Sequence, residues 1–260
     1  DDVGFGSCET FGGMIPSPGV DRVASQGLTF NQFHTTALCS PTRASLLTGR
    51  NHHSVHMGGI TEIANSFPAY DSAIPKESAT LAEILKQNGY STGCFGKWHL
   101  TPSWEQSPAG PFDRWPTGLG FERFYGILGA EASHWEPPVY DQITPIEPHL
   151  NKPGYHLTED LADQAILWME RQKVSAPDRP FFCYFAPAAV HAPHHVSTQK
   201  EQIQYSITIY RPALILLVLF HNLLAFGMRL HHSQQIPHIP SLRILVLFVE
   251  RKYVIQDQLG

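Results

Sequence analysis

The hydrophobic and polar positions of this chain predict alternating helices and strands. Residues 78–88 carry apolar side chains at helical spacing, with Ile84 on the apolar face and Ser78 in position to cap the helix. Residues 90–95 follow as a stretch that predicts a strand. A second amphipathic pattern begins at Thr158, which is predicted to cap a helix whose apolar face is formed by Leu161, Ala165, Trp168 and Met169.

A nearly continuous apolar run, PFFCYFAPAAV, covers residues 180–190. Such a run is expected of a parallel strand that is covered on both faces. A short strand is also predicted around Leu28, Phe30 and Phe33, whereas residues 130–153 are rich in proline and predict a long loop. Together these patterns indicate an α/β fold.

The amino-acid composition limits the classes of protein to which this chain can belong. Of the 260 residues, 16% are charged and 42% are hydrophobic, which is typical of a globular chain. The formal net charge of -5 gives no electrostatic reason to expect a nucleic-acid partner. Four cysteines are too few for a disulfide scaffold, so they leave the redox compartment open.

The run CSPTRASLLTGR, residues 39–50, predicts a helix with Cys39 at its N-terminus. Pro41 suits the first turn because that position needs no backbone N–H, and Gly49 can end the helix in a left-handed conformation. The free N–H groups and the macrodipole make a helix N-terminus a natural site for an anion. Arg43 projects over the same end one turn later, so Cys39 lies beside a candidate anion site.

Polar residues follow the predicted strands. GKWH places Lys97 and His99 directly after residues 90–95, and HAPH places His191 and His194 after the apolar run. Asp1 and Asp2 would suit the end of a strand that precedes the chain, although a bare pair of aspartates is also common in solvated turns. Two adjacent carboxylates favour a cation between them, and oxygen ligands suit calcium or magnesium. We expect these groups to meet at one edge of the sheet.

These motifs carry a resemblance to a known family. CSPTRASLLTGR resembles the sulfatase signature, in which the cysteine is oxidised after synthesis to formylglycine. The segments PGVDRVA over 18–24, GKWH over 96–99 and HAPH over 191–194 are similar to further sulfatase motifs, and the family carries an aspartate pair where this chain has Asp1 and Asp2.

The resemblance implies a fold and a set of site residues. The fold would be the alkaline phosphatase-like three-layer sandwich, with a mostly parallel mixed sheet that is incomplete at both ends here. Ca²⁺, or Mg²⁺, would be held by Asp1, Asp2 and residue 39. Sulfate would be handled by the remaining catalytic candidates, Arg43, Lys97, His99 and His191, with His194 as a weaker candidate.

The implied activity is hydrolysis of a sulfate ester, arylsulfatase-like, after a formylglycine-generating enzyme has converted Cys39. Neither a nucleic acid nor a membrane is expected as a partner. Two alternatives stay open: a phosphonate or phosphodiester hydrolase of the same superfamily, and an inactive fragment. His52, His53 and His56 invite a zinc interpretation, but their spacing lacks the usual zinc motifs, and packed or solvated histidines fit better.

The resemblance predicts a boundary near residue 198. Residues 1–198 would form part of the catalytic domain, and residues 199–260 an atypical hydrophobic tail that is non-homologous or disordered. The family also implies an Asp-Asn pair and a second lysine, and no Asp-Asn dipeptide occurs in this chain. The apolar run over 212–228 contains His221 and Asn222 and is slightly short for a membrane span, so a membrane helix is the less favoured interpretation.

Overall fold

The computed structural model describes residues 1–195 and two short strands further on. A five-stranded sheet lies at its centre, in the order β4-β3-β2-β1-β5. The strands are β1 (Ser91–Lys97), β2 (Arg123–Ile127), β3 (Val139–Asp141), β4 (Thr144–Ile146) and β5 (Phe181–Ala186). β1 is parallel to β2 and β5, whereas β3 runs antiparallel to β2 and β4. The later strands, β6 (Leu217–Leu219) and β7 (Arg243–Leu245), pair antiparallel with each other.

Helices cover both faces of the sheet. They are α1 (Pro18–Ala24), α2 (Cys39–Thr48), α3 (Leu81–Gln87) and α4 (Leu157–Ser175). Alternate residues of β1 enter two different hydrophobic clusters, because successive side chains of a strand point to opposite faces. Cys94 shares its cluster with Leu47 of α2, whereas Phe95 shares the other cluster with Leu161 of α4. The three layers confirm the predicted α/β sandwich with a mixed sheet.

The central strand β1 directs the polar residues that follow it. All seven of its residues are buried, as expected of a strand with a neighbour on each side and helices above and below. Its parallel register pairs Gly96 with Ala186 of β5, so the two strands end side by side. The carboxyl ends of β1 and β5 therefore bring Lys97 and the segment before His191 to one edge of the sheet.

Both predicted helix caps were wrong by two residues. Helix α3 is capped by Thr80 and not by Ser78, since the Thr80 hydroxyl accepts a hydrogen bond from the backbone N–H of Glu83. Leu81 and Leu85 of this helix pack against the core, but Ile84, which was predicted on the apolar face, is 48% exposed. Helix α4 is capped by His156, whose ring accepts a hydrogen bond from the N–H of Thr158, and not by Thr158 itself.

Two predictions about irregular segments were also wrong. The stretch around Leu28, Phe30 and Phe33 forms no strand and leaves those residues exposed, because no neighbouring strand is available to pair with it within the described residues. Conversely, the predicted loop over 130–153 contains the hairpin β3–β4. Gln142 at its turn holds the hairpin on β2, because its side-chain oxygen accepts from the N–H of Phe124 at 2.6 Å.

The predictions for the tail fall almost entirely outside the described residues. Only β6 lies within the apolar run over 212–228, and the rest of that run is not described. Among the residues that are described, none of the helices is long and apolar enough to cross a membrane.

Candidate functional site

Cys39 occupies the predicted position at the start of a helix. It is the first residue of α2, after Leu38 in an extended conformation, and Gly49 ends the helix with a φ of 66°. The thiol is partly exposed, and its sulfur lies 3.1 Å from Nδ1 of His99. The helix N-terminus therefore presents the sulfur to a histidine that follows the central strand.

Two buried cations lie beside this helix end. Arg43 lies one turn after Cys39, and its guanidinium donates to the backbone carbonyl of Lys97 at 2.5 Å. Lys97, the last residue of β1, is fully buried and contacts a carboxylate oxygen of Asp1. Nε of Arg43 is buried and has no hydrogen-bond acceptor within the described part of the chain. The pocket thus holds two fixed positive charges and one unused donor, as an anion-binding site requires.

Backbone geometry at Gly96 brings these cations close to the neighbouring strand. Gly96 has a φ of 121°, a conformation that side chains rarely adopt. A Cβ atom there would lie 2.5 Å from the carbonyl carbon of Ala186, so only glycine lets β1 approach β5 this closely at the end of the sheet. Lys97 follows immediately.

The acidic pair lies against the segment that follows β5. The backbone nitrogen of Asp1 donates to the carbonyls of Pro187 and Ala189, and the N–H of Val190 donates to the carbonyl of Asp1. The Asp1 side chain is buried and lies 3.5 Å from the Arg43 guanidinium. This pairing with the chain after β5 explains how residues so far apart in sequence share one edge of the sheet.

One possible metal site emerges from the described residues. Asp1, Asp2 and His191 each offer a ligand atom, and these atoms lie within 4.8 Å of one another. Nε2 of His191 lies 3.8 Å from Asp2. Two carboxylates and an imidazole form a donor set that fits a divalent cation. The sequence predicted residue 39 as the third ligand, but Cys39 is not a member of this group, and its sulfur faces His99.

The sequence interpretation missed Glu62, which lies next to His99. Nε2 of His99 is 2.7 Å from Oε2 of Glu62, so the histidine joins Cys39 on one side to a carboxylate on the other. Burial alone would raise the pKa of the Glu62 carboxyl, but the hydrogen bond and charge of His99 outweigh burial and lower it to about 2. Burial is also the main influence on the His99 ring and lowers its pKa.

Other predicted candidates lie elsewhere. His194 is exposed and its Nδ1 contacts the Val190 carbonyl at 3.0 Å, so it belongs to the turn and not to the pocket. The three histidines after α2 form no metal-ligand group among the described residues. His56 instead pairs with Asp71 at 2.9 Å on the surface, in agreement with the packed or solvated interpretation.

Comparison with known proteins identifies the family. The protein-family model described as Sulfatase matches residues 1–209. The chain is 29% identical over 226 residues to an uncharacterized sulfatase of Schizosaccharomyces pombe. This match covers 78% of this chain and 38% of that protein. It is also 30% identical over 213 residues to an arylsulfatase of Klebsiella aerogenes, covering 74% of this chain and 42% of that one. The chain therefore spans well under half of the length of these two relatives.

The fold is shared with solved structures as well. The crystal structure of the sulfatase PsFucS1 from Pseudoalteromonas sp. superposes with a TM-score of 0.55 at 18% sequence identity, over 74% of this chain and 43% of that one. The family match covers the helix that bears Cys39, the strand that bears Lys97 and the segment that bears His191. The chain belongs to the sulfatase family.

Proposed function

We propose that this chain carries the nucleophile and the anion pocket of an enzyme that hydrolyses sulfate esters of the arylsulfatase type to an alcohol and sulfate. The observation that carries the proposal is the position of Cys39 at the N-terminus of α2, beside the buried cations Arg43 and Lys97. Family membership and the similarity to an arylsulfatase support the same reaction.

The pocket suits a transition state that concentrates negative charge on sulfuryl oxygens. Arg43 is held by the Lys97 carbonyl and by Asp1, so its guanidinium is already oriented before a substrate arrives. Donors that are fixed in advance stabilise developing charge without a cost of reorganisation. In this proposal Arg43 and Lys97 bind the sulfuryl oxygens, and His191 contacts the same group from the side of Asp2.

The proposed reaction also needs a modified residue at position 39 and a divalent cation. Cys39 would be converted to formylglycine by a formylglycine-generating enzyme, and the hydrated aldehyde supplies an oxygen nucleophile. Asp1 and Asp2, with residue 39, would hold Ca²⁺ or Mg²⁺, which would supply positive charge next to that oxygen. His99 would accept a hydrogen bond from the side chain at position 39, because its Nδ1 already faces that position at 3.1 Å.

Mass spectrometry of the modified residue is the decisive test. The full chain is co-expressed with a formylglycine-generating enzyme, and the tryptic peptide over residues 23–43 is analysed for conversion of the thiol to an aldehyde. The peptides that contain Cys8, Cys94 and Cys183 are internal controls and should keep their thiols, because none of these three cysteines begins a sequence like CSPTR. Conversion confined to Cys39 is the expected result.

Activity is then measured with an aryl sulfate and an aryl phosphate, with calcium and with a chelator. We expect the sulfate ester to be the better substrate, calcium to be required, and Cys39→Ala to abolish turnover. A thiol that stays unmodified at Cys39, or faster turnover of the phosphate ester, would contradict the proposal. If the converted chain turns over neither ester, the activity proposed for this chain is wrong although its family is not.

A further inference from the structure

Glu62 has no role in the function proposed so far, yet only the His99 ring separates its carboxylate from Cys39, the proposed nucleophile. Its carboxylate lies 2.7 Å from Nε2 of His99, and Nδ1 of the same ring lies 3.1 Å from the Cys39 sulfur. The three side chains form a continuous line that ends at the position of the proposed nucleophile. The Glu62 side chain is about two-fifths exposed, whereas the His99 side chain is fully buried.

Both ends of the Glu62–His99 contact are fixed by the fold. Glu62 lies in a short 3-10 helix over Thr61–Ile63, and the carbonyl of Thr61 accepts a hydrogen bond from the Ser103 hydroxyl at 3.1 Å. The backbone N–H of His99 donates to the carbonyl of Leu128 at 3.0 Å. Because neither residue depends on the other for its place, the contact between them can orient the ring.

The chemistry of the carboxylate decides which ring nitrogen carries the proton. Glu62 is ionised at neutral pH, and an ionised carboxylate can only accept hydrogen bonds. Nε2 of His99 must then be the protonated nitrogen. In a neutral ring the other nitrogen, Nδ1, keeps its lone pair, and that nitrogen is the one that faces position 39.

We propose that Glu62 is a positioning residue that holds His99 in the Nε2–H tautomer, so that Nδ1 accepts the proton of the side chain at position 39. Its part in turnover rests on the proposed sulfatase function, whereas its effect on the tautomer and on the thiol does not.

Nitrogen-15 NMR of the full, unconverted chain tests the tautomer directly. The protein contains 15 histidines, so the ring nitrogen signals of His99 are assigned by through-bond correlation with the backbone signals of the same residue. At neutral pH we expect a protonated Nε2 and an unprotonated Nδ1 for His99. The opposite tautomer in the wild-type protein would overturn the proposal, and this measurement needs no variant to fold.

The variant Glu62→Gln removes the constraint, because an amide can either accept from Nε2 or donate to it. We expect Nδ1–H to become populated in His99. We also expect alkylation of Cys39 by iodoacetamide to slow by about tenfold, since the sulfur loses its proton acceptor. Mass spectrometry reads the alkylation at Cys39 separately from the three buried cysteines.

Asp71→Asn is the matched control. It breaks a carboxylate–imidazole pair of similar length with His56, 2.9 Å, which takes no part in the pocket. This variant should leave the His99 tautomer and Cys39 alkylation unchanged. Unchanged tautomer and alkylation in Glu62→Gln would refute the positioning role. In the formylglycine-bearing enzyme, Glu62→Gln should lower kcat and leave KM nearly constant. If the wild-type chain shows no sulfatase activity, the proposed function is refuted, but the tautomer and alkylation measurements still test the role of Glu62.

Discussion

Replacing Gly96 with alanine tests how the central strand delivers Lys97 and His99 to the pocket. The residue pairs with Ala186 of β5 and has a φ of 121°. A methyl group would lie 2.5 Å from the Ala186 carbonyl carbon, closer than the 3.0 Å that real Cβ atoms respect. The obstructing atoms belong to backbone, so β1 and β5 must move apart.

The cost has two parts that the structure separates. The first is the strain of placing a side chain at a positive φ, about 1–3 kcal/mol. The second is the steric displacement of β5, about 1–3 kcal/mol by analogy with overpacked cores. Gly89 provides the matched control, because its φ is 87° but nothing lies within 4 Å of a Cβ atom at that position. Gly89→Ala therefore carries the strain without the collision.

Urea denaturation of the two variants measures the difference. We expect Gly96→Ala to lower the free energy of unfolding by about 1–3 kcal/mol more than Gly89→Ala. Alkylation of Cys39 should also change only in Gly96→Ala, because the displaced strand carries His99 away from the sulfur. Equal losses of stability in the two variants would refute the argument that close approach of β1 and β5 requires glycine.

Three further predictions concern a buried histidine, a helix cap and the pocket. Burial, followed by the charge of His156, lowers the pKa of His134 from 6.5 to about 4. Protonation therefore favours the unfolded state. The stability present above pH 6.5 should fall by about 3 kcal/mol as the pH drops from 6.5 through 4, and His134→Gln should flatten that profile in urea titrations. Thr80→Ala should lower the free energy of unfolding by about 1 kcal/mol, measured by urea denaturation, because the N–H of Glu83 loses its cap. Arg43→Lys should lower kcat/KM for an aryl sulfate about 10²-fold, since a single ammonium cannot reproduce the contacts of the guanidinium, while Arg50→Lys on the surface should have no effect.

Local sequence signals predicted the elements that depend on local chemistry. Pro41 and Gly49 mark the two ends of α2, and the alternation of Cys94 and Phe95 between two clusters follows from strand geometry. The caps were harder to predict, because Ser78 and Thr80 are both suitable residues. Only the Thr80 hydroxyl also donates to the carbonyl of Leu119, 39 residues away, a contact that a local pattern cannot reveal.

The hairpin β3–β4 shows the same limit. Its strands are three residues each and include Pro145, so they carry little β-propensity of their own. They form because β2 offers an edge and because the Gln142 amide bonds to the backbone of Phe124 in β2 and to that of Glu122, just before the strand. Such an edge belongs to the assembled sheet and not to the local sequence, which is why the composition of residues 130–153 predicted a loop.

Glu62 marks the corresponding limit for the site. Cys39, Lys97 and His99 could be predicted because each follows a recognisable element, the start of a helix or the end of a strand. Glu62 lies in a three-residue turn between two irregular segments and reaches His99 across 37 residues of sequence. A residue that acts on a catalytic side chain needs only the right distance to that side chain and no motif of its own. A residue with the role proposed for Glu62 is therefore found from the distances around the candidate side chain, and the Glu62 carboxylate lies 2.7 Å from His99.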